Sequence, residues 1–368
     1  MSRGGSLLLR GVFIAAVVLL GVRSVGAADR PGGAAVPPQG LAGPDENGAC
    51  LTCHGDPTLQ VKLKEGDDKS MFVDGGKLGA SVHAKLGCTD CHGDIRGKAQ
   101  GHESAPLRSA RQFAIVYSEQ CKRCHFANYA KTLDGVHHAL SAKGNEKPAV
   151  CVDCHGSHDV APASKPRSRI SRTCAKCHER IVEAYSKSVH GKALLDNENP
   201  DVPACTDCHR AHNIADPRTS AWRLRMPQIC GGCHTNEPMM AKYGLSTKVL
   251  STYLADFHGS TTLLQQAERG AQPVVALCTD CHGIHDIAKT DEPGSKVMQA
   301  NLTRVCANCH PGATANFRAA WLSHYEPTWK KAPMVYAVKV AYSVLIPFMI
   351  VGLVLQIILH LWRVVINR

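Results

Sequence analysis

The chain has 368 residues, 44% hydrophobic and 20% charged, a balance that excludes a disordered or low-complexity polypeptide. Aromatic residues reach only 5%, while cysteines number 18 and histidines 20, which excludes a conventional sheet or helix-bundle core as the main source of order. The formal charge of +11 invites a nucleic-acid or acidic-lipid partner, unless bound groups bring negative charge of their own.

At the N-terminus, Arg3 and Arg10 precede or flank an apolar run from Gly11 to Val22, followed by Val25-Gly26-Ala27-Ala28. This is the pattern of a secretory signal over residues 1–27 with cleavage after Ala27. No twin arginine is present, so export of the unfolded chain is expected. Residues 28–48 are rich in Pro, Gly and Ala and read as a flexible linker.

From there the cysteines fall into nine copies of Cys-x-x-Cys-His with none left over. Sites 1 to 3 are Cys50/Cys53/His54, Cys88/Cys91/His92 and Cys121/Cys124/His125. Sites 4 to 6 are Cys151/Cys154/His155, Cys174/Cys177/His178 and Cys205/Cys208/His209. Sites 7 to 9 are Cys230/Cys233/His234, Cys278/Cys281/His282 and Cys306/Cys309/His310. Two thiols at this spacing add to the two vinyl groups on one porphyrin edge, and the adjacent histidine reaches the iron as proximal ligand. Zinc would need the pairs to combine into four-ligand sets, and nine pairs leave one over. The expected cofactors are therefore nine covalently bound haem c groups. Their propionates outnumber the positive charges of the ferric porphyrins, so together with loss of the leader's arginines they bring the holoprotein near neutrality, and nucleic acid is not an expected partner. The basic stretch Lys165, Arg167, Arg169 and Arg172 reads as propionate counterions or a solvated loop.

The remaining histidines are not scattered. From Cys121 a two-haem unit recurs: Cys-x-x-Cys-His, a histidine usually followed by a small residue, a spacer, then Cys-x-Asp-Cys-His-x-x-His. The first copy supplies His137 and His158, the second His190 and His212, and a stretched third His258 and His285. A final half-unit supplies His324, and the divergent opening pair supplies His83 and His102. These are nine distal candidates for nine irons, giving bis-histidine coordination throughout, with His138 and His360 left as spares. His158, His212 and His285 follow their proximal histidines by three residues and cannot reach round to the opposite face of the same haem, so each is expected to ligate a neighbour. Met239 and Met240 are the rival axial ligands at site 7, with packing their expected role.

A second apolar stretch, Val340 to Leu359, carries no charge and is long enough to cross about 30 Å of hydrocarbon as one helix. Trp329, Lys330, Lys331 and Tyr336 on one side and Trp362, Arg363 and Arg368 on the other are interfacial anchors. Pro347 should bend the helix and leave a carbonyl for a neighbouring membrane helix to cover. The expected fold class is mainly α with much irregular structure, a multihaem cytochrome c wrapped around nine haems, plus one C-terminal transmembrane helix. The expected divisions are a signal peptide at 1–27, a linker at 28–48, a nonahaem domain at 49–329, and an anchor with a short cytoplasmic tail at 330–368. That places a single-pass protein in the bacterial inner membrane with its haem domain in the periplasm.

The chain resembles periplasmic multihaem c-type cytochromes of the cytochrome c3-like, doubled Cys-x-x-Cys-His group. Through His310, His324, Pro327, Pro333 and His360-Leu361-Trp362-Arg363 it is similar to a membrane-anchored set within that group. The resemblance implies the cytochrome c part of a quinone-linked cytochrome b/c complex. It also implies a separate membrane cytochrome b or other quinone-reactive subunit, since no such segment follows the helix here. His360 is then either an interfacial anchor or a ligand to a b-type haem or quinone site. The expected function is electron transfer between the quinone pool and periplasmic cytochromes or reductases, as a subunit rather than an enzyme in its own right. The alternative is a multihaem reductase or oxidase of a small nitrogen or sulfur compound, with one five-coordinate catalytic haem in the region of His234 to His258.

Overall fold

The computed structural model describes residues 43–98, 102, 107–163, 165–267, 275–319, 324 and 326–367. The expected signal peptide and most of the linker lie outside the described residues. The chain is a succession of short helices, from four residues at Cys88–Cys91 to eleven at Phe257–Ala267, before one long helix at Pro333–Ile366. The described strands form one antiparallel hairpin, Gln60–Lys62 with Asp68–Ser70, in which Val61 opposes Lys69.

The helices stay short because each haem motif brings its own start and stop. At sites 2, 4, 6 and 8 the Asp of Cys-x-Asp-Cys accepts the backbone N–H of the residue before the first cysteine. The distances are 2.8 Å from Gly87 to Asp90, 2.7 Å from Val150 to Asp153, 2.7 Å from Ala204 to Asp207 and 2.8 Å from Leu277 to Asp280. This is the acidic half of a capping box. The stop after sites 4 and 8 is a glycine with positive φ, Gly156 at 76° and Gly283 at 83°. At site 6 Arg210 occupies the same position at φ 64° and ψ −179°, a conformation close to glycine-only. Arg210→Gly is therefore expected to relieve about 1 kcal/mol of strain and raise Tm by roughly 2–4 °C in a thermal melt. An unchanged or lower Tm would count against stored strain there.

The same aspartates tie the two halves of each copy together. Arg111 pairs with Asp153 at 2.7 Å, Arg167 with Asp207 at 2.6 Å and Arg223 with Asp280 at 3.1 Å. Each arginine lies ahead of the odd-numbered site, and two also reach the loop ahead of the even one, Arg111 donating to the Pro148 carbonyl and Arg167 to the Pro200 carbonyl at 2.7 Å. Arg167 is thus a structural clamp, which corrects its reading as a propionate counterion or loop residue. Asp207→Ala strands both the Ala204 N–H and the Arg167 guanidinium. Loss of such charge-assisted bonds should cost about 2 kcal/mol and lower Tm by roughly 4–8 °C; a variant melting with the parent would show that the clamp adds nothing.

In the opening pair, residues from the expected linker take the place of the clamp. Asn47 is buried, donates to the Leu86 carbonyl at 3.1 Å and accepts from the Cys88 N–H at 2.8 Å, while Glu46 accepts from the Thr89 N–H at 2.9 Å. The ordered domain thus begins before residue 49, because Glu46 and Asn47 satisfy the exposed amides at the start of site 2.

Consecutive units meet along a seam that repeats. Val82 N–H donates to Val160 O at 2.8 Å, Val136 to Ile214 at 2.7 Å and Val189 to Ile287 at 2.9 Å. In each case the donor precedes a distal histidine of one unit, and the acceptor follows by two residues a distal histidine of the next. Gly191 and Gly259 explain the small residue after two of these histidines, because a methyl group there would collide with the carbonyl of Tyr185 or Tyr253. Those tyrosines in turn donate to Pro203 O at 2.6 Å and Ala276 O at 3.0 Å, equivalent positions ahead of sites 6 and 8. The extra length of the third copy includes Glu237–Ala241 and packs back on the second copy, where Lys242 pairs with Asp201 at 2.8 Å.

Side chains alone make a sparse core: ten apolar residues are buried among those described, and Tyr185, Leu194 and Ala204 form the central cluster. Meanwhile Phe126, Phe257 and Ile284, each beside a histidine of the repeat, stand exposed. The C-terminal helix has 34 residues, a mean hydropathy of 2.5 in its apolar stretch and no buried face, and it continues through Pro347. It contains the whole expected span and is a candidate membrane anchor.

Candidate haem sites

Each of the nine motif histidines faces one second histidine across a gap of nearly constant width. At the odd-numbered sites His54 faces His102 at 6.0 Å between ring centres, His125 faces His83 at 6.0 Å, and His178 faces His137 at 6.3 Å. His234 likewise faces His190 at 6.3 Å, and His310 faces His258 at 6.3 Å. At the even-numbered sites His92 faces His158 at 6.1 Å, His155 faces His212 at 6.2 Å, His209 faces His285 at 6.0 Å and His282 faces His324 at 6.1 Å.

The angle between the paired planes runs from 6° to 56° while the separation stays within 6.0–6.3 Å. Direct ring packing couples distance to tilt, and these pairs do not. An iron held between two imidazoles by metal–nitrogen bonds of about 2.0 Å keeps ring centres about 6 Å apart whatever the twist, so the histidines fit the group that the motifs imply. The exposed Phe126, Phe257 and Ile284 supply apolar surface of the kind a porphyrin covers.

The imidazoles are held in the ligating form. Burial, and then the facing imidazole, lowers His190 and His282 to about 4, so both are neutral at neutral pH. At site 1 the His54 Nδ1 lies 2.8 Å from the Met71 carbonyl oxygen; donation there leaves Nε2 free for a metal.

The cysteines contact one another in an alternating pattern. Within units, first cysteines meet: Cys50 with Cys88, Cys121 with Cys151, Cys174 with Cys205 and Cys230 with Cys278. Between units, the second cysteine of each even site lies near both cysteines of the next: Cys91 near Cys121 and Cys124, Cys154 near Cys174 and Cys177, Cys208 near Cys230 and Cys233, and Cys281 near Cys306 and Cys309. Among the described residues no group of three or more His, Cys, Asp or Glu is placed to hold a bare metal ion.

Cys53 is exposed, as are the second cysteines Cys91, Cys124, Cys154, Cys177 and Cys309. What supports Cys53 as an attachment point is its own motif, through Cys50 and through His54 opposite His102.

The structure thus supplies a pairing that spacing left open. His158, His212 and His285 stand opposite the histidines of sites 2, 4 and 6, each belonging to the unit before. His83, His137, His190 and His258 stand opposite sites 3, 5, 7 and 9, each in the unit after. Met240 is buried and packs in the core, and His190 occupies the place across from His234 where a thioether was the rival. His138 and His360 take no part in the nine pairs. Arg169, Arg172 and Lys176 line a cavity with Cys154 and His155, in keeping with a propionate role for those bases.

The clamps formed by Arg111, Arg167 and Arg223 escaped the sequence reading. Their one signal is position, since Arg167 and Arg223 both lie seven residues ahead of the next first cysteine.

A family model described as Cytochrome c3 matches residues 145–235, about a quarter of the chain, spanning sites 4 to 7 with His158, His190 and His212. The match supports a multihaem c-type cytochrome with covalently bound haem c and electron transfer as its class of work. No solved structure matches the chain.

Proposed function

We propose that the chain is a membrane-anchored periplasmic carrier with nine haem c groups, passing electrons between the quinone pool and periplasmic redox proteins. The carrying observation is that every motif histidine faces a second imidazole at 6.0–6.3 Å, which leaves no axial position for a substrate. When bound, each haem takes up or releases one electron at its iron.

The chain's own residues do the rest. Cys pairs fix each group at one edge, and the histidine pairs fix its plane. The clamps from Arg111, Arg167 and Arg223 hold adjacent motifs at constant separation, and a carrier gains speed from sites that do not reorganise. The Pro333–Ile366 helix supplies the anchor, with Trp329 and Tyr336 in edge contact at its start as an interfacial pair. A quinone-reactive membrane subunit, such as a cytochrome b, would exchange electrons at the membrane, and soluble cytochromes or reductases would exchange them in the periplasm.

The test is carbon monoxide added to the fully reduced protein, followed by oxidised soluble c-type cytochrome. A carrier shows no carbonyl band and is reoxidised rapidly by the cytochrome. One equivalent of bound carbon monoxide would instead support the reductase or oxidase reading.

A further inference from the structure

We infer that the nine sites stand in single file in chain order, with site 9 at the membrane end and site 1 at the far end, where a soluble redox protein meets the chain. The inference rests on the carrier reading and adds order and polarity to it.

Three independent sets of contacts agree. First cysteines meet between sites 1 and 2, 3 and 4, 5 and 6, and 7 and 8, while the second cysteine of each even site lies near the cysteines of the next odd site. Cysteines are therefore neighbours at every consecutive step. The histidine pairs repeat the pattern, because each complete copy gives one ligand backward to an even site and one forward to an odd site. The backbone seam does so again at Val82, Val136 and Val189, each bonded to the following unit. Such nearest-neighbour stacking propagates in one dimension, as in repeat proteins.

The two ends differ. Site 1 takes its second histidine, His102, from the opening pair itself, so no unit is needed before it. Site 9 closes on His258 from the third copy, and the connection from there to the anchor is tied back by Lys248 to Glu326 at 2.9 Å. His324 faces His282 at site 8 and lies nine residues before Pro333, so the membrane helix starts within about 30 Å of the last sites. Among the described residues, site 1 at the opposite end of the file has no such tether.

Two measurements on the full chain in lipid nanodiscs test this. His102→Gly and His258→Gly each open one iron, at sites 1 and 9, and give one high-spin ferric signal. With a gadolinium chelate on lipid headgroups, the relaxation time of the His258→Gly signal should shorten several-fold and that of His102→Gly should not change. Equal shortening in both variants, or a stronger effect in His102→Gly, overturns the order. Should a variant fail to mature, amine crosslinking of the unaltered protein serves. Links between lysines should stay within a unit or join adjacent units, and links from Lys62, Lys69 or Lys85 to Lys248, Lys296 or Lys330 overturn the single file. A high-spin signal in the unaltered protein contradicts the carrier reading, while the crosslinks still test site order.

Discussion

His158→Gly should open the iron at site 2 and leave site 4 six-coordinate, although His158 lies three residues from the proximal histidine of site 4. The reason is that His158 stands 6.1 Å from His92, while His155 is faced by His212 at 6.2 Å. Loss of the second imidazole should convert one haem to high spin, let the reduced protein bind one equivalent of carbon monoxide, and be reversed by added imidazole. The site is identified by combination. Removing Cys88 and Cys91 should abolish the new signal, while removing Cys151 and Cys154 should leave it. The opposite pattern would show that His158 serves its own motif and that the interlocked pairing is wrong.

Larger still is the expected effect of withholding the cofactor. With ten buried apolar side chains among the described residues, the chain cannot offset the ordering of its own backbone, which costs about 1–2 kcal/mol per residue. The histidine pairs face each other across gaps of the width that an iron between two imidazoles sets, and Phe126 and Phe257 lack a covering surface. A leaderless chain made in the cytoplasm, where haem is not attached, should therefore show no cooperative thermal transition outside the anchor helix. The mature protein should melt cooperatively. A cooperative melt of the unloaded haem domain would mean that side chains carry the fold.

The motif chemistry was legible because it is local: Cys-x-x-Cys-His puts all its groups within five positions. The second histidines were legible because repetition marked His137, His158, His190 and His212 as a set. Their partners were not, since pairs such as His92 with His158 depend on tertiary contacts between separate units. Spacing could forbid His158 its own site without naming the neighbour that receives it. The arginine clamps were hidden for a related reason: Arg167 sits in a basic stretch, and only the fold shows Asp207 in front of it. The helical start at Pro44–Glu46 and Asn47–His54 was not legible because Glu46 and Asn47 follow a Pro/Gly/Ala-rich run, and their role is set by amides some forty residues on.

Low-temperature electron paramagnetic resonance of the resting ferric holoprotein, with spin integration against its haem content, tests the central claim. The account requires nine haems per chain, all low-spin with paired imidazoles, and no high-spin iron. Fewer than nine haems in fully matured protein, or a high-spin component from any one of them, would contradict it.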